Sequence, residues 1–457
     1  MKNSVISLSF IIAIGFIFLS ATIDLDQLFN YANQEIPEYI TKDNTGDNVI
    51  DDKVATLGRV LFYDKNLSKN QTIACASCHV QSHAFGDPNI QSTGVNGFTP
   101  RHSMRLVNAR FSNEDSFFWD ERAETLEMQT TQPIKDHIEM GFSGTHGDPT
   151  FEELLLHLES LDYYHTLFEF AYGDSQITEN RMQLALAQFI RSIQSFDSKF
   201  DEGLMQVNFA NEPFPNYTPQ ENRGKNLYLN IGCADCHMLS EFALHFNSLN
   251  NGVITVAGIP GAIDITNIRA PSLRNLAKPD GTLNGPFMHD GSFSTLLAVV
   301  NHYNAIPNHP ENTNLDTRLK GPNGEPQQLN LTENDKQDLV AFLKTLAGVD
   351  VYTNEKWSNP FEPDGSIKII GGNLSVSQLN PSTSFTLYPN PTYGVTILET
   401  NLKNFNINIY SQTGKLLHSK EGYPITKLDL SALASGMYFL QITTEQGIQY
   451  TNQLVKK

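Results

Sequence analysis

The sequence predicts a mainly α-helical protein of two similar lobes, followed by a small all-β sandwich. The motif Cys-x-x-Cys-His occurs twice, at residues 75–79 and 233–237, and apolar residues recur at helical spacing around both copies. Short segments with strand-like alternation begin only after residue 384. At about 150 residues per domain, a chain of 457 residues is long enough for three domains.

The charge balance excludes one broad class of function. The chain has 31 Lys and Arg against 50 Asp and Glu, which gives a formal net charge of −19. A nucleic-acid-binding protein needs a basic face to contact phosphates, so we expect no nucleic acid as a partner. Hydrophobic residues make up 40% of the chain, which is enough to form buried cores.

The N-terminus has the pattern of an export signal. Lys2 precedes an apolar run over residues 5–19, and small residues follow up to Ala21. This order is typical of a secretory signal peptide. The alternative is a membrane anchor, but a spanning helix usually needs about 20 apolar residues and this run is shorter. We therefore predict that residues 1–21 are a signal peptide and that the mature chain is exported.

All four cysteines of the chain fall in the two Cys-x-x-Cys-His motifs. In an exported protein this motif attaches c-type haem: two thioethers hold the porphyrin, and the adjacent His reaches the iron. A redox dithiol, a zinc site and two disulfides are the alternatives, but two matches that use every cysteine are poorly explained by chance. We predict two covalently bound haem c groups. The residues that bind them are Cys75, Cys78 and His79 for the first haem and Cys233, Cys236 and His237 for the second.

Helical patterns lead into both motifs. Residues 51–67 have the pattern of a helix and a turn, and residues 219–230 that of a helix. The stretch 209–219 has three prolines and no periodicity, which is typical of a bridge. We therefore predict an N-terminal haem domain over residues 22–208 and a C-terminal cytochrome c domain over residues 209–350. Further helices are predicted over residues 151–170, 179–196, 295–303 and, after an N-cap at Thr332, up to residue 346.

The composition changes after Asp350. Residues 351–384 are rich in Asn, Pro, Ser and Gly, which indicates a linker. Residues 385–457 contain short alternating segments separated by turns, which predicts a small β-sandwich of its own. The predicted strands are 385–388, 395–399, 407–410, 416–418, 437–442 and 449–455.

The residues around the motifs resemble those of a known family. From about residue 58 to residue 346 the chain resembles the bacterial di-haem cytochrome c peroxidases, including their MauG-type branch. Residues 385–457 resemble a type A sorting domain of the type IX (Por) secretion system. The matching segments of the first resemblance, in the family's order, are Ala74-Cys-Ala-Ser-Cys-His79, Phe118-Trp-Asp-Glu-Arg-Ala123, Leu126-Glu-Met-Gln129, Pro133-Ile134, Glu139-Met140, Gly232-Cys-Ala-Asp-Cys-His237, Arg269-Ala-Pro-Ser-Leu-Arg-Asn275 and Phe287-Met-His-Asp-Gly-Ser292. Those of the second are Leu387-Tyr-Pro-Asn-Pro391, Tyr410-Ser-Gln-Thr-Gly-Lys415 and Ser435-Gly-Met-Tyr-Phe439.

The resemblance implies catalytic roles for three residues. Glu139 would be the acid–base group that moves a proton between the oxygens of peroxide, with Gln129 as a polar neighbour and Pro133 on the same side. Trp119 would lie between the haems as an electron path. The ordinary alternatives are a solvated carboxylate for Glu139 and a core residue for Trp119.

In many members of the family a distal His binds the first haem until the enzyme is reduced. The matching stretch here, residues 92–97, contains no His. We therefore expect a five-coordinate first haem that is open to peroxide. His83 and His102 are the nearest histidines, and we expect them to be loop residues rather than ligands.

The far ligand of the second haem is predicted on the helix 295–303. The position that carries Met in the standard peroxidases is occupied by Tyr303 in this chain. MauG-type members also have a Tyr at this position. Neighbouring helix residues point about 100° apart, so only one of His302 and Tyr303 can face the iron. We favour Tyr303, with His302 and then Met288 as alternatives.

The family also holds a calcium ion between its haems, bound by a side-chain Asn and by carbonyls of the second lobe. In this chain His102 stands at the Asn position, whereas Asn284 and Pro286 match the carbonyl positions. Calcium prefers oxygen ligands, so the imidazole is a poor substitute. Calcium is therefore left open as a second cofactor. Glu121 stands where the family usually has Gly, which adds a charge beside Trp119.

The resemblance implies two alternative functions. The first is a peroxidase in which electrons from a cytochrome c or another small donor pass the second haem and reduce hydrogen peroxide at the first. The second is a MauG-like oxidase that acts on a protein or a small organic substrate through high-valent iron, a branch that Tyr303 favours. The acidic chain would suit a basic donor, and the peroxidase family is often homodimeric.

The sorting domain implies a route of export. By resemblance it directs the folded enzyme to the secretion machinery and is then removed. Haem attachment would take place in the periplasm, and the enzyme would afterwards reach the cell surface or the medium. A carbohydrate- or partner-binding sandwich is the alternative, but the terminal position of the domain favours export.

Overall fold

A computed structural model gives the fold of the chain. The chain divides into two compact units, Met1–Gly371 and Gly372–Lys457. The predicted signal peptide, residues 1–21, lies outside the residues that the structure describes. Among the described residues, no helix is long and apolar enough to cross a membrane. The structure describes residues 28–112, 116–243, 248–363, 366–369, 385–400, 402–411, 415–444 and 449–457.

The first unit begins with a helical lobe around the first motif. The long loop after the motif carries a two-residue hairpin, β1 (Thr93–Gly94) and β2 (Gly97–Phe98). The helix predicted over residues 151–170 is two helices, because the backbone is extended at Leu161. The helices of this lobe are α1 (Asp52–Tyr63), α2 (Cys75–Cys78), α3 (Leu126–Lys135), α4 (Phe151–Glu159), α5 (Asp162–Tyr172) and α6 (Glu179–Ser192).

A second helical lobe surrounds the second motif. Thr218 and Thr332 begin two of its helices as N-caps, each side chain accepting a hydrogen bond from the backbone N–H three residues later. The predicted helices at residues 219–230 and 295–303 are found within one residue of their expected bounds. The helices of this lobe are α7 (Lys199–Leu204), α8 (Pro219–Asn230), α9 (Cys233–Cys236), α10 (Leu296–Asn304) and α11 (Glu333–Lys344).

In each lobe the helix before the motif crosses the last helix at a glycine. A Cβ atom at Gly58 of α1 would overlap the carbonyl group of Ala185 in α6. A Cβ atom at Gly224 of α8 would overlap the carbonyl group of Asp338 in α11 in the same way. Because glycine has no Cβ atom, the two helices of each pair lie closer together than a residue with a side chain would allow. Each motif therefore follows the first helix of an equivalent pair.

The described residues 351–363 and 366–369 of the predicted linker 351–384 do not form the linker that their composition indicates. Trp357 is 1% exposed in the core of the first lobe, and its Nε1 donates to Ser192 Oγ over 3.2 Å. The buried guanidinium of Arg59 donates through Nε to the carbonyl of Ser358 over 2.7 Å. Composition averages over a segment and hides such single anchors, so the described part of the predicted linker belongs to the first unit.

The second unit is the predicted β-sandwich. Two antiparallel sheets have the strand orders β3-β4-β7 and β6-β5-β8-β9. Sequence analysis missed β7, a five-residue strand in which only Thr426 and Leu428 are buried. The predicted fold class, mainly α with an all-β domain after it, is confirmed. The strands are β3 (Phe385–Tyr388), β4 (Val395–Thr400), β5 (Phe405–Ser411), β6 (Leu416–Gly422), β7 (Ile425–Asp429), β8 (Gly436–Thr444) and β9 (Gln449–Lys456).

Replacing either crossing glycine by alanine should destabilise its lobe. The added methyl group must push against a backbone carbonyl, so we expect Gly58→Ala and Gly224→Ala each to lower the free energy of unfolding by about 1–3 kcal/mol. Gly321→Ala is the control, because its nearest obstacle is the flexible side chain of Asn323 at 3.2 Å. Chemical denaturation followed by circular dichroism measures the change. Unaltered stability in both helix variants would contradict the close crossing.

Candidate functional site

Each Cys-x-x-Cys-His motif of the first unit opens onto a cavity. The short helices α2 and α9 carry the cysteines, and the His follows directly after the last helical residue. The walls of both cavities consist mainly of apolar side chains. The motif residues that line them are Cys75, Cys78 and His79 in the first cavity and Cys233, Cys236 and His237 in the second.

Burial sets the chemistry of the motif cysteines. It raises the pKa of the Cys75 and Cys233 thiols to about 12, and that of the Cys78 and Cys236 thiols to about 11. None of the four forms a disulfide bond. A protonated thiol is a weak nucleophile, which argues against the redox alternative. Neutral sulfur is also the state found in a thioether.

The motif histidines are held as neutral imidazoles. Nδ1 of His79 lies 3.1 Å from the carbonyl oxygen of Phe85. A carbonyl only accepts, so the ring donates from Nδ1 and keeps its lone pair on Nε2. Burial lowers the pKa of His79 and lowers that of His237 to about 4. A neutral imidazole with a free nitrogen is the form that binds iron, so the donor set of both cavities fits haem c.

The wall of the first cavity also includes polar groups from α3 and from the turn after it. Gln129 and Pro133 line the cavity from α3, and Glu139 lines it from the turn. This turn is held by the carboxylate of Asp136, which accepts from the backbone N–H of Glu139 over 3.0 Å. The structure thus brings together the predicted polar residues of this wall.

Glu139 is suited to exchange protons near neutrality. Burial raises the pKa of its carboxyl group to about 7. The negative charge of Asp136 raises the pKa further, and the positive charge of Arg122 opposes both effects. An acid–base group works best when its pKa lies near the working pH.

The stretch that would carry a distal His forms the β1-β2 hairpin. Of the predicted stretch 92–97, only Gly94 lines the first cavity. A Cβ atom at Gly94 would overlap the carbonyl group of Ile138, and the backbone N–H of Val95 donates to the Glu139 carbonyl over 3.0 Å. The hairpin therefore supports the turn of Glu139 and leaves the cavity in front of it clear of its own side chains.

Trp119 lines both cavities. Its Nε1 donates to the carbonyl of His102 over 2.6 Å, and its own carbonyl accepts from the backbone N–H of Arg269 over 2.7 Å. Its ring centroid lies 6.3 Å from that of His289. Trp119 is thus held from both lobes at the point where the two cavities meet.

Glu121 stands where the family usually has Gly. Its backbone has the left-handed conformation that glycine adopts most easily. Its φ is +58°, which costs a residue with a Cβ atom some strain. Its carboxylate accepts from the backbone N–H of Ser248 and from Asn267 Nδ2, each over 3.0 Å. These hydrogen bonds to the second lobe compensate the strain and hold the charge beside Trp119.

Tyr303 and Met288 line the second cavity, whereas His302 does not. His302 Nε2 lies 3.0 Å from the carbonyl oxygen of Asn251. Asn251 Nδ2 lies 3.5 Å from Tyr303 Oη and 3.7 Å from Met288 Sδ. Burial holds the pKa of the Tyr303 phenol well above its usual range. Among the three candidate ligands, His302 is therefore the one turned away.

The predicted calcium residues lie between the cavities, but an arginine lies among them. Nη1 of Arg105 is 3.4 Å from the carbonyl oxygen of Asn284. Pro286 lines the second cavity, and His102 lines both while its Nδ1 lies 3.0 Å from the Asn89 carbonyl oxygen. In the part of the chain that the structure describes, no group of three or more His, Cys, Asp and Glu residues is arranged to hold a metal ion.

Sequence analysis assigned no role to the two arginines that line both cavities beside Trp119. These are Arg105 and Arg269. Arg105 could have been noticed in the sequence, because it is a cationic residue in the weakly charged loop that follows the first motif. His83, in contrast, behaves as the expected loop residue, with Nε2 2.8 Å from the carbonyl oxygen of Gly285.

Comparisons with known proteins identify the family of the chain. The family model of the di-haem cytochrome c peroxidases matches residues 52–208, and that of the secretion system C-terminal sorting domain matches residues 386–457. The methylamine utilization protein MauG of Methylorubrum extorquens is 30% identical over 305 residues, which are 65% of this chain and 78% of that protein. The cytochrome c551 peroxidase of Nitrosomonas europaea is 29% identical over 309 residues, which are 65% of this chain and 80% of that protein.

A solved structure extends the likeness to the fold. The crystal structure of a MauG-like protein associated with microbial copper homeostasis matches with a TM-score of 0.57 and 30% identity, over 72% of this chain and 99% of that one. The predicted resemblance is therefore confirmed for both parts of the chain. The chain belongs to the di-haem cytochrome c peroxidase and MauG family of oxidoreductases and carries a C-terminal secretion sorting domain.

Proposed function

We propose that this enzyme reduces hydrogen peroxide to water with electrons from a cytochrome c or a similar small donor. The unequal lining of the two cavities supports this function. Gln129 and Glu139 line only the first cavity, Tyr303 lines only the second, and Trp119 lines both. Peroxide chemistry is therefore assigned to the first cavity and electron entry to the second.

The two motifs would hold the haems by thioether bonds and by one imidazole each. Haem c would supply redox-active iron in both cavities, with an open position in the first. Tyr303 is the proposed far ligand in the second cavity, because His302 is engaged with the Asn251 carbonyl and Met288 is the weaker donor to ferric iron. The residues that hold the groups are Cys75, Cys78 and His79, and Cys233, Cys236 and His237.

Glu139 moves the proton that heterolysis of peroxide requires. Its carboxylate accepts the proton of the near oxygen and returns it to the far oxygen, which leaves as water. A pKa of about 7 lets the same group act first as a base and then as an acid. The amide of Gln129 lines the same cavity and orients the peroxide by hydrogen bonding. Two electrons and two further protons complete the reduction to water.

Trp119 is the proposed electron path between the domains 22–208 and 209–350. It is the aromatic residue whose side chain lines both cavities in the described chain. The net charge of −19 favours a basic donor protein. We further propose that haem is attached in the periplasm and that the sorting domain then directs the enzyme through the secretion machinery to the cell surface or the medium.

A MauG-like oxidase of a protein or small organic substrate is the second candidate. Two observations favour this function. The phenol of Tyr303 lies in the second cavity, and of the stretch 92–97 only Gly94 lines the first cavity. The acid–base group of Glu139 and the amide of Gln129 in the first cavity would serve either function. The choice between the two therefore depends on the electron donor.

The donor test separates the two functions. With hydrogen peroxide present, we expect the haem-loaded enzyme to oxidise reduced cytochrome c faster than phenols or other organic donors at equal concentration. Stopped-flow absorbance of the cytochrome measures the rate, with haem-free protein as the control. Turnover of organic donors without turnover of any reduced cytochrome would favour the oxidase instead.

Glu139→Gln should lower kcat/KM for peroxide by about 10²–10⁴-fold, because the amide cannot accept the proton. In the unaltered enzyme Glu139 must be ionised to act as the base, so kcat/KM should rise as the pH increases through about 7. The variant should lose this rise. Glu124→Gln, at an exposed position between Trp119 and α3, is the control and should keep both rate and profile. An active Glu139→Gln enzyme would exclude the proposed role.

The resting spectrum tests the ligands of both haems. We expect one high-spin ferric haem from the open first cavity and one low-spin ferric haem from the second. Tyr303→Phe should change only the low-spin signals in electron paramagnetic resonance, because it removes the phenol oxygen. His302→Gln is the matched control on the adjacent helix position and should leave these signals as they are. Two low-spin haems at rest would contradict the open first cavity.

A further inference from the structure

The loop between β2 and α3 carries an arginine into the wall between the two cavities. Arg105 lines both cavities, and its Nη1 lies 3.4 Å from the carbonyl oxygen of Asn284. Its guanidinium carbon lies 5.9 Å from the ring centroid of Phe287. A Cβ atom at Gly86 would come within 2.8 Å of Arg105 Cγ, so the aliphatic part of the side chain is packed closely against Gly86. The guanidinium therefore has a defined position at the second-lobe carbonyl.

The positive charge of Arg105 acts on the residues expected to bind calcium. An arginine side chain stays protonated in proteins, so Arg105 is a permanent cation. Its Nη1 lies 3.4 Å from the carbonyl oxygen of Asn284, one of the expected calcium ligands. A calcium ion at this place would meet a fixed cation beside it and an imidazole in place of an amide oxygen. These residues do not fit calcium, which requires several oxygen ligands.

The guanidinium also has an unused donor. The Nε atom of Arg105 is buried and has no hydrogen-bond partner among the described residues. A buried charged group without a partner is costly, and a carboxylate is the partner that a guanidinium binds best. Haem c carries two propionate carboxylates, and Arg105 lines both cavities that the motifs equip for haem. The inference rests on the two haems of the family and not on the substrate that is reduced or oxidised.

We infer that Arg105 replaces the inter-haem calcium ion, and that its guanidinium joins the Asn284 carbonyl of the second lobe to a haem propionate. The haem pair of this enzyme then needs no metal ion between its lobes. A fixed cation near a haem stabilises the electron-rich reduced state, so Arg105 also raises the midpoint potential of the haem whose propionate it binds.

Metal analysis of the unaltered, haem-loaded enzyme is the first test. After dialysis against EGTA, we expect two haems per chain, no stoichiometric calcium, and an absorption spectrum that does not change when calcium is added back. One calcium per chain before dialysis, together with a spectrum that changes when it is removed, would overturn the replacement. This readout does not depend on turnover, so it is separate from the test of the proposed function.

Redox titration of variants tests the propionate contact. Arg105→Gln should lower the midpoint potential of at least one haem, and Arg105→Lys, which keeps the charge, should restore most of the difference. Arg110→Gln is the matched control, because Arg110 pairs with Asp43 over 2.6 Å and lines neither cavity. Unchanged potentials of both haems in Arg105→Gln would overturn the contact. If that variant does not fold, the metal analysis of the unaltered enzyme still tests the replacement, and unchanged potentials in Arg105→Ala would overturn the propionate contact.

Discussion

The close crossing of two helices at a glycine is the constraint on which each haem lobe depends. The backbone of α1 rests directly on α6 at Gly58, and that of α8 rests on α11 at Gly224. Helix α8 ends at Asn230, just before the second motif, and α1 ends at Tyr63, ahead of the first motif at Cys75. Any larger residue would separate the helices and move the motif away from the apolar wall that faces it. The same contact in both lobes gives two cavities of equivalent construction.

Because the helix pairs are alike, the two cavities differ through the segments that connect the paired helices. The first lobe places the α3 segment and the Glu139 turn over its cavity, and the β1-β2 hairpin supports that turn. The second lobe places α10 with Tyr303 over its cavity. The first cavity has a carboxyl group with a pKa of about 7 in its wall, and the second has a buried phenol. Equivalent scaffolds thus receive different chemistry from connections that the scaffold does not constrain.

The parts that could be predicted from the sequence are those set by local pattern. Motif spacing, helical periodicity and the N-cap at Thr332 act over a few residues, and they predicted α1, α6, α8, α10 and α11. The break at Leu161, the packing of Trp357 and the strand β7 depend on distant contacts and were not predicted. Arg105 belongs to the second group, since only the folded chain brings it to the Asn284 carbonyl. For Tyr303 and His302, helical phase predicted that one of them would face away, and the packing of α10 selected His302.

The wall between the lobes is built from the same turn used twice. Phe117 pairs with Ala123 and Phe287 pairs with Phe293, each pair enclosing five residues whose first member has a φ of +71°. The second residue of each turn is Trp119 in one lobe and His289 in the other, and these two rings meet edge to face with their centroids 6.3 Å apart. The fourth residue needs the left-handed backbone in both turns, which Gly291 adopts easily and which Glu121 adopts with the help of its hydrogen bonds to the second lobe. The same turn in both lobes therefore brings its equivalent positions together at the interface, and the tryptophan at one of them lines both cavities.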